Sequence, residues 1–197
     1  MSLTLLSFAG AFLLGCVLAS FRVSPVPPLR MVATAYIEIV RNTPLIALML
    51  LFFFGFTKVG IGPYSPFVSA VVVLAAYTGT YIGEVIRSGI NSVSTGQTEA
   101  ARAIGLTFLQ VLGLVVLPQA LRTVVGPIGN LFIALIKNSA IAYTISVVEL
   151  TGSADRISTA TAQPIAAYLG AAAGYLVLTL PSGLLIGVLE RRVAVKR

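Results

Sequence analysis

Charged side chains are scarce in this sequence, and that scarcity decides the class of protein. Only 10% of the 197 residues are charged, whereas 57% are hydrophobic. An ordinary soluble domain has about 25% charged residues, so this chain lacks the polar surface that a water-soluble protein needs. The composition indicates an integral membrane protein. Backbone groups in lipid must be hydrogen-bonded internally, and the apolar runs are continuous rather than alternating, so an all-α fold is expected.

Histidine is absent, and cysteine occurs once, as Cys16. One cysteine cannot form an intrachain disulfide, and no acids and thiols cluster at metal-ligand spacing, so no metal site is predicted. The phosphate-binding pattern GxxxxGK[ST] is missing, which argues against ATP binding by the usual loop. A membrane-embedded enzyme would need a nucleophile–base or metal constellation, so no catalytic residues are predicted. The net charge of +7 is attributed to the cytoplasmic side of a membrane protein rather than to nucleic-acid binding.

The apolar runs predict about five membrane-spanning helices in a single transmembrane domain over residues 1–197. The predicted spans are about 3–21, 44–60, 66–87, 124–148 and 165–189. Residues 29–41 form an amphipathic segment, which predicts a helix lying along the membrane surface or packed under the bundle.

Lysine and arginine are distributed unevenly among the connections. Ten lie in or beside the first connection, the third connection and the C-terminal tail, whereas only Lys58 and Arg156 lie in the second and fourth. Basic residues are enriched on the cytoplasmic side. The N-terminus is therefore predicted outside and the C-terminus in the cytoplasm.

A polar, helix-favouring segment over about 94–118 lies between the third and fourth spans. Two residue pairs fit capping boxes, namely Ser94 with Gln97 and Thr107 with Gln110. Gly105 fits a stop for the first short helix, and Pro118 is expected to break the apolar run before it. We therefore predict two short cytoplasmic helices joined at a glycine turn, which serve either as a docking element for a soluble partner or as a plain connection.

Ionisable and polar side chains inside the predicted spans mark candidate positions of a solute path, because such residues are costly in a membrane. The candidates are Tyr77, Tyr81, Glu84, Arg87, Asn130, Lys137, Asn138 and Ser139. Glu84 and Arg87 are spaced to form a structural ion pair or a helix-end anchor, or alternatively to line the inner part of the path. Lys137 lies about 20 Å along the helix from residue 124, and it is expected to meet a protein acid or the carboxylate of an amino acid.

Five motifs occur in a fixed order, namely RNTPL, YIGEVIRSGI, GQTEAARAIGL, LPQALR and LIKNSAIA. The third, followed by a hydrophobic stretch that ends in Leu-Pro, resembles the EAA signature of permease subunits of ABC importers. The ordered set resembles the polar amino acid branch. The stretches FRVSPVPPLR and AYIEIVRNTPL are most similar to actinobacterial glutamate-type members. Together the matches cover most of residues 21–150.

The resemblance implies a type I importer of the bacterial plasma membrane. In such importers two permease subunits form the path, an ATPase dimer binds ATP and Mg²⁺, and an extracytoplasmic binding protein delivers the solute. The matching EAA positions are Glu99, Ala100, Ala101 and Gly105, and the resemblance assigns them to the coupling helix that seats in the ATPase. No cofactor is expected on this chain. Members usually carry a longer N-terminus, which leaves the outer end of the first span open.

The predicted function is ATP-driven uptake of a polar amino acid, and the most similar members imply glutamate. An ATP-independent small-solute carrier or channel subunit is the alternative. The second permease subunit is either a copy of this chain or a homologous chain.

Overall fold

The computed structural model describes residues 1–61 and 65–193, and all regular structure in these ranges is helical. In chain order the helices are α1 (Ser2–Val23), α2 (Pro27–Arg41), α3 (Leu45–Lys58), α4 (Pro66–Asn91), α5 (Thr95–Ala103), α6 (Phe108–Ile145), α7 (Leu150–Thr161) and α8 (Pro164–Val193). Lys196 and Arg197, which contribute to the predicted charge bias, lie outside the described residues.

Four helices, α1, α4, α6 and α8, are long and apolar enough to cross a membrane. Helices α2 and α3 satisfy the same criterion only as a pair, and they meet at an angle of 103°. Helix α3 alone is about 21 Å long, which is shorter than a hydrocarbon core of about 30 Å. The chain is therefore a multi-pass membrane protein with four spans, or five if the bent pair forms one.

The fourth span differs from its prediction, because its helix begins well before residue 124. Helix α6 runs from Phe108 through Pro118 to Ile145 without a break. Residues Leu112–Val116 form a π-helical turn, and Pro118 lies in the first turn of the α-helical stretch that follows. A π turn locally rearranges the backbone hydrogen bonds of a helix, and here the Gln119 side-chain amide donates to the Val115 carbonyl at 2.9 Å. The proline is therefore accommodated.

Helix α1 lies directly against α4, and small residues permit this close approach. A Cβ atom on Gly79 would lie 3.2 Å from the Ala11 carbonyl oxygen and 3.0 Å from Leu14 Cδ2. Small residues at helix interfaces let two backbones approach closely in a membrane. Helix α1 thereby covers the face of α4 that carries Gly79. Tyr77 and Tyr81 of α4 lie on a different face of that helix.

The largest buried cluster joins α1, α3, α4 and the end of α6. Its fully buried members include Met49, Leu74, Leu135, Ala142 and Ile145. At the other end of the chain, α8 is almost unburied, because Ala171 is its only buried residue within the described part.

Helix α7 is absent from the predictions, and its N-cap residue, Glu149, explains why. The Glu149 carboxylate accepts hydrogen bonds from the backbone N–H groups of Thr151 at 2.8 Å and Gly152 at 2.7 Å. The Tyr175 hydroxyl of α8 donates to the same carboxylate at 2.7 Å. The usual N-cap residues are Ser, Thr, Asp and Asn. A glutamate therefore gives no recognisable start signal.

Candidate solute path and partner-docking surface

Four polar residues follow one face of α6. Gln119, Thr123, Asn130 and Lys137 are separated by four, seven and seven residues, and these spacings return to the same side of a helix with 3.6 residues per turn. We call these four residues the polar stripe. Asn130 and Lys137 are exposed. Only these two were predicted, although the same spacing would have found Gln119 and Thr123.

Within residues 1–61 and 65–193 the Lys137 ammonium group has no acidic partner, and neither the Lys137 nor the Asn130 side chain makes a hydrogen bond. A cation inside a membrane-spanning helix is costly unless it meets an opposite charge or water. Lys137 was expected to meet either a protein acid or the carboxylate of an amino acid. The described part of this chain does not supply the protein acid. The ammonium group is left available to a solute or to another subunit.

Helix α4 carries a second polar face, which begins with two tyrosines. The hydroxyls of Tyr77 and Tyr81 lie 3.0 Å apart in a hydrogen bond, and their ring centroids are separated by 5.2 Å. The Arg41 guanidinium lies 4.7 Å from the centroid of the Tyr81 ring. This distance is typical of a cation–π contact, and it connects the end of α2 to the polar face of α4.

Glu84 forms an ion pair with two arginines. Arg87 donates to its carboxylate through Nη2 at 3.0 Å and Nε at 3.2 Å, and Arg22 Nη2 lies 3.4 Å from Glu84 Oε1. The Arg22 Nη1 group also donates to Thr34 Oγ1 at 2.8 Å. These contacts join α1, α2 and α4. Of the two alternatives predicted for Glu84 and Arg87, the ion pair is present.

Ser139 lies apart from the two polar faces, in the turn where α6 tightens after Asn138. It is 7% exposed, and its hydroxyl donates to the Ile136 carbonyl at 2.7 Å. Together with Thr4, Glu149 and Tyr175 it lines a cavity of about 130 Å³. Asn138 is half-buried at the end of the α-helical part of α6. The predicted path residues are therefore divided among two helix faces and this small cavity.

The four EAA positions do not share one surface. Ala101 is 6% exposed and packs in a buried cluster with Val111 and Val116 of α6, whereas Glu99 and Ala100 are exposed. Ala101 therefore faces the chain's own interior, whereas Glu99 and Ala100 lie on the exposed side of α5. Its small side chain allows α5 to approach α6 closely.

Gly105 ends α5 as predicted, with a φ angle of +93°. Its N–H group donates to the Arg102 carbonyl at 3.0 Å, and the Leu106 N–H group donates to the Ala101 carbonyl at 3.2 Å. These two bonds form a Schellman motif, which favours glycine at this position because a left-handed backbone is costly for other residues.

The two predicted capping boxes differ. The Thr107 N–H group donates to Gln110 Oε1 at 2.8 Å, and the Gln110 N–H group donates to Thr107 Oγ1 at 3.4 Å, so this box is complete. Ser94 is the N-cap of α5, but its hydroxyl makes no capping bond. A full box is therefore present only at the start of α6.

Three large apolar side chains are exposed where α5 turns into α6. Ile104, Phe108 and Leu109 are 80%, 76% and 74% exposed. We call these residues, with Glu99 and Ala100, the docking patch. Clustered exposed apolar side chains mark interaction surfaces. These three residues were not predicted, although large apolar residues directly before Gly105 and inside the Thr107–Gln110 capping box could have indicated them.

Polar faces on two membrane-crossing helices are typical of a membrane transport subunit. The exposed docking patch lies on α5 and the first turn of α6, which we call the insert. The chain belongs to the family of binding-protein-dependent transport system inner membrane components, whose model matches residues 11–195.

Known relatives are similar in sequence to this chain over nearly its whole length. The probable glutamine ABC transporter permease protein GlnM of Bacillus subtilis is 39% identical over 96% of this chain and 87% of its own length. The glutamate transport system permease protein GluC of Corynebacterium glutamicum is 42% identical over 99% of this chain and 91% of its own length. The resemblance to ABC importer permeases is thereby confirmed.

Solved structures confirm the all-α membrane fold. The crystal structure of an amino acid ABC transporter with histidines has a TM-score of 0.92 and 37% identity, and the match covers 97% of this chain and 89% of that one. The MetNI methionine ABC transporter, in an inward-facing conformation, has a TM-score of 0.81 and covers 98% of this chain and 92% of its own. Its identity is 22%, so that likeness concerns the fold alone.

Proposed function

We propose that this chain is one of two permease subunits of an ATP-driven amino acid importer. A separate ATPase dimer binds ATP and Mg²⁺, and an extracytoplasmic binding protein delivers the solute. The chain itself catalyses no reaction. The observation that carries the proposal is the docking patch, because its exposed apolar side chains lie beside the polar helix α5 at the start of α6, where a soluble partner would cover them.

The insert is joined rigidly to the membrane part of the chain. Ala101 packs α5 against the beginning of α6, and the Schellman motif and the capping box fix the turn between them. Helix α6 then continues from Phe108 to Ile145. A displacement of the insert by the ATPase would therefore move the whole polar stripe as part of one rigid element.

The polar stripe is the proposed solute-facing surface of α6. Asn130 offers amide hydrogen bonds, and Lys137 offers a positive charge that could receive the α-carboxylate of an amino acid. Relatives named for glutamine and glutamate transport support an amino acid with an amide or carboxylate side chain. Glu84 is already paired with Arg22 and Arg87, so this acid would not select a cationic solute.

The proposed orientation places the arginine-rich end of the bundle in the cytoplasm. Arg22 at the end of α1, Arg87 near the end of α4 and Arg102 on α5 all belong to this end. The docking patch would then face the cytoplasm, the C-terminus of α8 would be cytoplasmic, and the N-terminus would lie outside.

The experiment is uptake of labelled amino acids by proteoliposomes that contain the assembled complex. We expect uptake by the unmodified complex only when ATP is supplied on the ATPase side. Ile104→Asp, which puts a charge into the docking patch, should abolish ATP-dependent uptake and release the ATPase. Thr95→Asp puts the same charge at the other end of α5, near the helix N-terminus where it is tolerated, and should retain both. Uptake that proceeds without ATP would contradict the proposal and favour an ATP-independent carrier.

A further inference from the structure

An apolar groove with a volume of about 810 Å³ lies between α1, the end of α4, α6 and the C-terminal part of α8. Its lining includes Phe12, Val23, Leu121, Ile128, Phe132 and Leu189. Ser20 is also in the wall, but its hydroxyl donates to the Cys16 carbonyl at 2.8 Å. The groove therefore favours an apolar occupant.

The groove and the polar stripe lie on opposite sides of α6. Leu121, Ile128 and Phe132 lie about half a turn around the helix axis from Asn130 and Lys137, at about 100° per residue. Two permease subunits that enclose a solute path would meet on the side of the polar stripe. The groove then faces away from that path and contacts the surrounding lipid.

Within the part of the chain that the structure describes, arginines that form no salt bridge lie beside the groove on α6 and α8. Arg122 directly follows the lining residue Leu121, and Arg192 lies three residues after Leu189, which places it on a neighbouring part of the same face of α8. Arg191 lies beside it, and Glu190 is the acid of this cluster, so the four charges sum to +2. Within the described residues none of the three arginines forms a salt bridge. This charge is complementary to an anionic lipid headgroup.

We propose that the groove holds an acyl chain of an anionic phospholipid from the cytoplasmic leaflet, with its phosphate at Arg122 and Arg192. The stretch of α1 from Phe8 to Val23, both of which line the groove, is about 23 Å long. One extended acyl chain can follow this path. The inference rests on the proposed function for the side of the membrane and for the position of the solute path, whereas retention of a lipid is measured without transport.

The first test counts phospholipids bound to the purified complex by native mass spectrometry, after exchange into phosphatidylglycerol or phosphatidylcholine. We expect phosphatidylglycerol to be retained in preference. Leu121→Trp fills the groove and should reduce retention about tenfold, because the displaced methylenes lose their apolar contact. Leu184→Trp is the matched control, since Leu184 is 74% exposed and does not line the groove. Equal retention by the two variants would overturn the proposal.

The second test identifies the occupant and the headgroup contact. A photo-crosslinking amino acid at position 121 should capture phosphatidylglycerol, whereas capture of the second permease subunit would overturn the proposal. Arg122→Gln combined with Arg192→Gln should remove the preference for phosphatidylglycerol over phosphatidylcholine. Arg156→Gln, at the opposite end of the bundle, should leave that preference unchanged. A preference that survives the double substitution would contradict the headgroup assignment.

Discussion

Ala100 and Ala101 are neighbours on α5 with opposite surroundings. Ala101 is 6% exposed and packs in one cluster with Val116 of α6, whereas Ala100 faces solvent within the docking patch. One alanine therefore holds the insert against the membrane domain, and the other is available to a partner. This difference separates the stability of the insert from its binding.

Substitution of each alanine by aspartate should give different defects. Ala101→Asp places a carboxylate in an apolar cluster and should destabilise the packing of α5 on α6 by about 3 kcal/mol. Hydrogen exchange of the amides in 95–111 should become faster. Ala100→Asp should leave this exchange unchanged and weaken binding of the ATPase. Unchanged exchange in Ala101→Asp would contradict the inward position of this residue.

Two glycines of the insert provide a second matched pair. Gly105 has a φ angle of +93°, whereas Gly96 lies in the first turn of α5 with open space around its Cα. Gly105→Ala should cost about 1–2 kcal/mol because of the left-handed backbone. Gly96→Ala should stabilise the helix by about 0.5 kcal/mol. Hydrogen exchange in α5 measures both effects, and a stabilising Gly105→Ala would contradict the Schellman geometry.

The start of α6 depends on the Thr107 cap more than the start of α5 depends on Ser94. Thr107→Ala removes a capping bond and should destabilise the first turn of α6 by about 1 kcal/mol. Ser94→Ala removes a hydroxyl that makes no capping bond, so its effect should be only a few tenths of a kcal/mol. Exchange rates of the amides in 107–111 and 95–98 report the two sites. Equal losses at both sites would contradict this difference.

The Glu84 network should contribute to the stability of the bundle. Glu84→Gln leaves Arg22 and Arg87 without their carboxylate, and it should lower Tm by about 2–6 °C in a chain of this size. Arg22→Gln keeps the two bonds between Arg87 and Glu84, and it should lower Tm by less. Thermal unfolding of the purified complex in detergent measures both changes. A larger loss in Arg22→Gln would contradict the central position of Glu84.

The long apolar runs were sufficient to predict α1, α4 and α8, because length and hydropathy alone identify a helix that can cross a membrane. Local signals predicted the stop at Gly105 and the capping box at Thr107. Both features depend on hydrogen bonds between residues that are close together in sequence. The types and spacing of those residues are therefore sufficient to predict them.

Other features depend on contacts that the pattern does not record. The passage of α6 through Pro118 depends on the π turn before it, and the start of α7 depends on a glutamate cap joined to Tyr175 of another helix. The inward position of Ala101 could not be predicted, because α5 is short and its apolar residues are all alanines, which do not single out one position as buried. The docking patch and the groove likewise follow from tertiary packing.

The polar stripe makes the most direct prediction about transport. Lys137 has no acidic partner in the described part of the chain, and we assign its ammonium group to the carboxylate of the solute. Loss of a charge-assisted hydrogen bond of this kind costs about 1.5–3 kcal/mol, which corresponds to a fall in affinity of about tenfold or more.

The decisive measurement is the concentration dependence of ATP-driven glutamate and glutamine uptake by proteoliposomes that contain the complex with Lys137→Met. We predict a concentration for half-maximal uptake at least about tenfold higher than in the unmodified complex, with assembly and basal ATP hydrolysis retained. Uptake with unchanged affinity and rate in Lys137→Met would contradict the assignment of the polar stripe to the solute path.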